Sequence, residues 1–161
     1  MRIAVYHDLP SGGAKRALLE QVRGLAARGH TVDLYLPSTA DEEFLPLAPY
    51  AHATFSYALP APPPRERMLE GRPSPLDPLR WLHMLASVRA VSARVAADID
   101  ARGYDVALVH PSQFTQAPWL LRFLRTRSLY YCHEPLRAAW EPGISGRATR
   151  LAIRATLGGV D

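Results

Sequence analysis

MRIAVYHDLPSGGAKRALLEQVRGLAARGHTVDLYLP, residues 1–37, changes its hydrophobic period twice, and that change sets the fold class. Ile3, Ala4, Val5 and Tyr6 form a short apolar run that ends at His7-Asp8 and a turn containing Pro10, Gly12 and Gly13. From Ala14 onward the spacing turns helical. Leu18, Val22, Leu25 and Ala26 share one face, and Gly29 stands where a helix C-cap glycine belongs. Residues 31–36 return to strand character and stop at Pro37. Strand, glycine turn, helix and strand in under forty residues read as a βαβ unit with a right-handed crossover.

The same alternation continues along the chain. Residues 44–50 contain two prolines and fit at best a broken helix, and residues 52–59 fit a third strand. Residues 60–78 are rich in proline and carry Arg65, Arg67 and Arg72, a composition suited to an extended or mobile loop inserted within one domain. A long helix is expected over residues 79–102, with Leu82, Leu85, Val88, Val91, Val95 and Ile99 as its apolar stripe and Trp81 at the stripe's edge. Residues 105–109 read as a buried strand ending at His110. A short helix follows over 119–124 and a fifth strand over 128–132, ending at His133-Glu134. Residues 147–157 close the pattern as a helix with Ala148, Leu151 and Ala155 on one side. Strands alternating with helices predict an α/β domain over residues 1–161, a Rossmann-like, doubly wound parallel sheet.

Composition excludes several classes. No apolar run approaches the roughly 20 residues that a spanning helix needs. Met1-Arg2 leads directly into the first strand, so no secretory leader is expected. The single cysteine, Cys132, rules out an internal disulfide and suits a reducing cytoplasm; it reads as a small buried core residue. The net charge is +4, and Lys15 is the only lysine. Arginine forks bind phosphates well, yet an Arg-, Ala- and Pro-rich coding bias explains the same charge. No nucleic-acid-binding signature is present, so no nucleic-acid partner is expected.

In a doubly wound sheet, ligands bind outside the carboxyl ends of the strands, near the point where the strand order reverses. His7-Asp8, His110 and His133-Glu134 all fall at such ends. Gly12-Gly13 before a helix lets an anion approach the backbone N–H groups, and Lys15-Arg16 in the first turn opposes the helix dipole unless a negative partner is near. The Gly-x-Gly-x-x-Gly pattern is absent, as is an acid after the second strand and any Walker spacing, which argues against NAD and ATP by those routes. A zinc site from His7, His110 and His133 lacks any short-spaced ligand pair, so no metal is expected. A Cys132–His133 nucleophile pair fails because adjacent strand residues face opposite ways.

The residues just quoted carry a family resemblance. At residues 1–6, at Ser11-Gly12-Gly13-Ala14-Lys15-Arg16, at residues 25–35 and at Tyr130-Tyr131-Cys132-His133-Glu134-Pro135, the sequence resembles glycosyltransferase family 4, retaining enzymes of the two-domain GT-B fold. Residues 39–78 match nothing in that family's pattern. The resemblance implies that this chain is the N-terminal, acceptor-binding half of such an enzyme. It implies that Gly12, Gly13 and Lys15 face the diphosphate of a UDP-, GDP- or similar nucleotide sugar, and that His133 lies beside the transferring hexose. Asp8, His110, Ser112, Gln113 and Glu134 become candidates for contact with a carbohydrate or lipid-linked acceptor. No bound cofactor or metal is implied. The donor-domain motifs of the family are not found, so the chain alone is expected to be inactive without its C-terminal partner domain. Two other readings stay open: a stand-alone, non-catalytic phosphate- or nucleotide-binding module, and peripheral membrane contact through Arg65, Arg67, Arg72, Arg80 and Trp81 on anionic lipid.

Overall fold

The computed structural model describes residues 1–60 and 76–133. The expected helix over 147–157, the loop arginines Arg65, Arg67 and Arg72, and Glu134 lie outside the described residues. Five strands form one parallel sheet in the order β3-β2-β1-β4-β5. They are β1 (Arg2–Asp8), β2 (Thr31–Pro37), β3 (Ala53–Tyr57), β4 (Val106–Ser112) and β5 (Ser128–Tyr130). Helix α1 (Gly13–Ala27) joins β1 to β2, and helix α2 (Asp77–Arg102) precedes β4. The architecture is Rossmann-like.

Strand β1 is central because every residue after Arg2 is buried. Its two-residue period splits the core into layers. Ile3 and Val5 pack with Leu18 and Val22 of α1, together with Leu34, Leu36 and Leu108. Ala4 and Tyr6 pack the other way, with Tyr35, Val91, Val95, Ile99 and Val109. The two helices thus cover opposite faces. A right-handed connection demands this when the chain first moves outward from β1 to β2 and later returns across the sheet to β4. Beneath the sheet, Tyr104 donates to Asp33 Oδ2 at 2.6 Å, and its hydroxyl meets that of Tyr35 at 3.0 Å. The Tyr35 and Tyr104 hydroxyls therefore each have a partner, as burial requires.

Helix α2 differs from its expected phase. Met84, Val88, Val91, Val95 and Ile99 form the buried stripe, whereas Leu82 is 64% exposed. Two residues turn a helix by about 200°, so a stripe through Met84 excludes Leu82 from the core. Leu85 packs only partly, against Met84, Val88 and Trp119. The helix also starts two residues earlier than its spacing suggests, at Asp77, and ends at Gly103, whose φ of 65° provides the left-handed cap. Residues 119–124 contain one 3-10 turn, Trp119–Arg122, rather than an α-helix.

The other corrections fall at strand ends. Strand β4 continues through His110 and Ser112, and β5 stops at Tyr130 instead of residue 132. Beyond Tyr130 one further backbone bond remains, from Tyr131 N–H to Val109 O at 2.9 Å. Cys132 lies past this pairing and is exposed, not a core residue. Among the described residues β5 has a neighbour on one edge only, which leaves little to cover it.

The phase of α2 can be tested by stability. Met84→Ala should destabilise the domain by about 2–5 kcal/mol, as cavity-forming core substitutions do. Leu82→Ala should cost less than about 0.5 kcal/mol. Urea unfolding of both variants separates the observed phase from one that buries Leu82.

Candidate functional site

Three clusters gather at the carboxyl ends of β1 and β4, where the strand order reverses. The first lies under the glycine turn. Gly12 caps α1 at a φ of 150°, a conformation that favours glycine. Its carbonyl accepts the first helical bond, from Arg16 N–H at 3.2 Å, and no side chain caps the helix. A Cβ placed on either Gly12 or Gly13 would meet nothing within 4 Å. The space over the turn is open.

Lys15 does not point into that space. Its side chain is fully buried, and its ammonium pairs with the Glu42 carboxylate. His7, next along β1 on the α1 face, sits 3.2 Å from the same Glu42 oxygen. Leu9 N–H donates to His7 Nδ1 at 3.3 Å, so the proton of the neutral ring is on Nε2 and is given to Glu42. The other Glu42 oxygen accepts Leu47 N–H at 3.1 Å. Burial opposes the charge on Glu42, but the donors from His7, Lys15 and Leu47 outweigh it and bring its pKa down to about 2. Burial, aided by the Lys15 cation, pushes the His7 pKa down and keeps the ring neutral. Next to Glu42, Asp41 caps its own turn by accepting the N–H groups of Glu43 and Phe44, each at 3.0 Å.

The second cluster surrounds Asp8. Its carboxylate accepts from Thr39 Oγ1 at 2.8 Å, Ser112 Oγ at 3.1 Å and Gln113 Nε2 at 3.1 Å. Burial raises its pKa, with these three donors acting in the opposite direction. Gln113 also donates to Thr39 O at 2.9 Å. Asp8, Ser112 and Gln113 thus form one knot that ties β1, β4 and the segment after β2 together.

The third cluster joins β4, α1 and the residues after β5. Strand alternation puts His110 on the α1 face with Leu108, where its Nε2 meets Gln21 Oε1 at 2.9 Å. That bond assigns the His110 proton to Nε2, leaving Nδ1 to accept from His133 Nε2 at 3.2 Å. The Tyr131 ring stacks on His110 with centroids 5.4 Å apart and meets His133 edge-on at 4.8 Å. Burial first, then the neighbouring His133 and His7, bring the His110 pKa down to about 3. Burial also lowers that of His133, which is only half-buried. A groove of about 360 Å³ runs from this cluster along α1, lined by Gln21, Leu25, Arg28, Leu108, Leu129 and Tyr131.

The geometry therefore brings His110 and His133 together and turns His7 away to Glu42. Among the described residues, no group of three His, Cys, Asp or Glu side chains is arranged to hold a metal. Glu42, Thr39, Gln21 and Tyr131 are site neighbours that the residue pattern did not single out. One signal for Glu42 was available: a lysine at a helix start needs a counter-charge, and Asp41-Glu42-Glu43 is a nearby acidic run.

The family model of the glycosyl transferase 4-like domain matches residues 12–161. The chain belongs to that family. No curated protein matches it. Its membership makes it a glycosyltransferase domain, and the match begins at Gly12, the residue that turns the chain from β1 into α1.

Two consequences are measurable. Glu42→Gln leaves the buried Lys15 ammonium without its counter-charge and should cost about 3 kcal/mol in urea unfolding. Pairing it with Lys15→Met should recover roughly half of that loss. The second concerns acid. The folded-state pKa of His110, about 3, lies below its ordinary 6.5, so the unfolded chain takes up the proton first. The stability that this ring contributes is complete above pH 6.5 and is lost as pH falls towards 3. Asp8, raised by burial, acts with the opposite sign from its ordinary value of 3.8 upward. His110→Gln should flatten the stability–pH slope in the window below pH 6.5 by up to about 1.4 kcal/mol per pH unit.

Proposed function

We propose that this domain is the acceptor-binding half of a GT-B glycosyltransferase that moves a hexose from a nucleotide diphosphate sugar with retention of configuration. The observation that carries the reading is the uncapped N-terminus of α1 under open space at Gly12-Gly13, beside the paired His110 and His133. A departing nucleotide diphosphate gathers negative charge as the glycosidic bond breaks. Preorganised backbone N–H groups at a helix start stabilise such charge without reorganising. Gly13 and Ala14 would offer theirs directly. Lys15 would act from below, holding the turn through Glu42 and adding positive field.

His133 would hydrogen-bond the transferring sugar. A neutral ring suits this role because it can both donate and accept, and its low pKa favours the neutral form. His110 fixes the orientation of that ring through the 3.2 Å bond, and Gln21 fixes His110. Asp8, Ser112 and Gln113 bond to one another, so their part in acceptor binding would be to shape the wall of the site. Glu134 follows His133 directly and completes the proposed acceptor set. The nucleotide would be held by a second domain across a cleft, in a cytoplasmic enzyme that needs no bound metal or cofactor.

Gly13→Ala tests the anion site. Its Cβ meets nothing, and an alanine in the first helical turn is favourable by about 0.4–1 kcal/mol, so the melting temperature should hold or rise. In the enzyme that contains this domain, the same substitution should raise KM for the nucleotide sugar or lower kcat. His133→Ala should lower kcat about 100-fold with little change in melting temperature. Unchanged kinetics for both variants would overturn the reading. The 161-residue chain alone should show no saturation with UDP- or GDP-sugars at micromolar concentration in calorimetry, because half a cleft bears nearly the whole entropic cost of binding. Tight binding would favour a stand-alone nucleotide-binding module instead.

A further inference from the structure

The outer face of α2 carries leucines that the core does not use. Leu79 is 63% exposed and Leu82 is 64% exposed, and Leu76, just before the helix, is 54% exposed. Their three-residue spacing aligns them in one row, opposite the stripe of Met84, Val88 and Val91 that packs on the sheet. One exposed leucine is unremarkable; a row of three within seven residues is a surface.

Cations outnumber acids around the row. Residues 77–97 contain Arg80, Arg89 and Arg94 against a single acid, Asp77 at the helix start. Arg89 lies seven residues beyond Leu82, two helical turns along the same side, and is exposed, as is His83. Arg94 reaches over the Tyr57 ring, 6.0 Å from its centroid.

We infer that the first turns of α2 dock on an anionic lipid surface, with Leu79 and Leu82 entering the headgroup–acyl boundary and Arg89 meeting lipid phosphates. Apolar side chains in a row beside cations are what such a surface selects. A second copy of this chain fits less well. A two-fold pairing would set arginines against arginines over a stretch whose one counter-charge is Asp77. Parallel strands joined by a crossover helix require that helix to run against them, so the start of α2 lies at the carboxyl end of the sheet. Docking there brings the edge that holds Gly12, His110 and His133 towards the bilayer. The inference does not depend on what those residues bind.

Flotation of the purified chain with phosphatidylcholine vesicles, with and without phosphatidylglycerol, tests it. The chain should float with the anionic vesicles and less so in high salt. Leu79→Ser combined with Leu82→Ser should weaken binding at least about tenfold. Arg89→Gln should weaken it about fivefold and reduce the salt dependence. All three positions are exposed, so thermal melts should match the parent chain. Failure of the parent to float with anionic vesicles, or unchanged flotation of the leucine variant, would overturn the inference. So would a dimer in sedimentation that the leucine substitutions dissolve while no form binds vesicles.

Discussion

Strand β1 is hydrogen-bonded to β2 along one edge and to β4 along the other, and helices cover both of its faces. A strand enclosed in this way can present new groups to a ligand only at its end. The end of β1 is His7-Asp8, and both side chains are almost wholly buried. Burial of two polar side chains demands partners, and the search for those partners organises the surroundings. His7 draws in Glu42, and Asp8 draws in Thr39, Ser112 and Gln113. The segment after β2 is held over the sheet by these bonds and by the fully buried Leu47.

Glu42 is the hinge of this arrangement. One of its oxygens serves both Lys15 and His7, and the other takes a backbone N–H. A carboxylate this well supplied stays ionised down to about pH 2 despite its burial. The consequence for function is steric as much as electrostatic. Lys15 is held beneath the glycine turn, so the face above Gly12 and Gly13 presents backbone and open space. An anion approaching it would meet N–H groups first, with the cation behind them.

The paired histidines follow a different logic. His110 is fully buried and depends on Gln21 and His133 for its two nitrogens, so the three side chains set one another's orientation. Two imidazoles at hydrogen-bond distance cannot both carry charge cheaply, and both are held towards the neutral form. The bonds therefore form a chain of fixed direction, from His133 through His110 to Gln21. Its half-buried end, His133, is the part that a ligand can reach.

Much of this was legible in residues 1–37 and in the strand ends. The period change from Val5 to Leu18, the glycine turn and the return to strand at Thr31 reflect local rules of chain geometry, which act on every sequence alike. They sufficed for the strand pattern and for bringing the histidines to the carboxyl side of the sheet, although β4 runs past His110 and β5 stops before His133. The partners of those histidines were not legible. His110 meets Gln21 across 89 positions, and Asp8 meets Ser112 across 104, and no local spacing encodes such pairings. The phase of α2 failed for a related reason. Leu82 and Met84 are both apolar, and only contact with Trp119 and Val88 selects which of them is buried. Cys132 reads as a core residue by type, but its fate depends on where β5 stops pairing. The sequence alone determined the parallel α/β sheet and which residues stand near its carboxyl edge, because hydrophobic period and turn chemistry are local. Which of those residues face each other, and which are already occupied, was decided only by the tertiary structure, because burial and hydrogen-bond satisfaction are properties of the assembled fold.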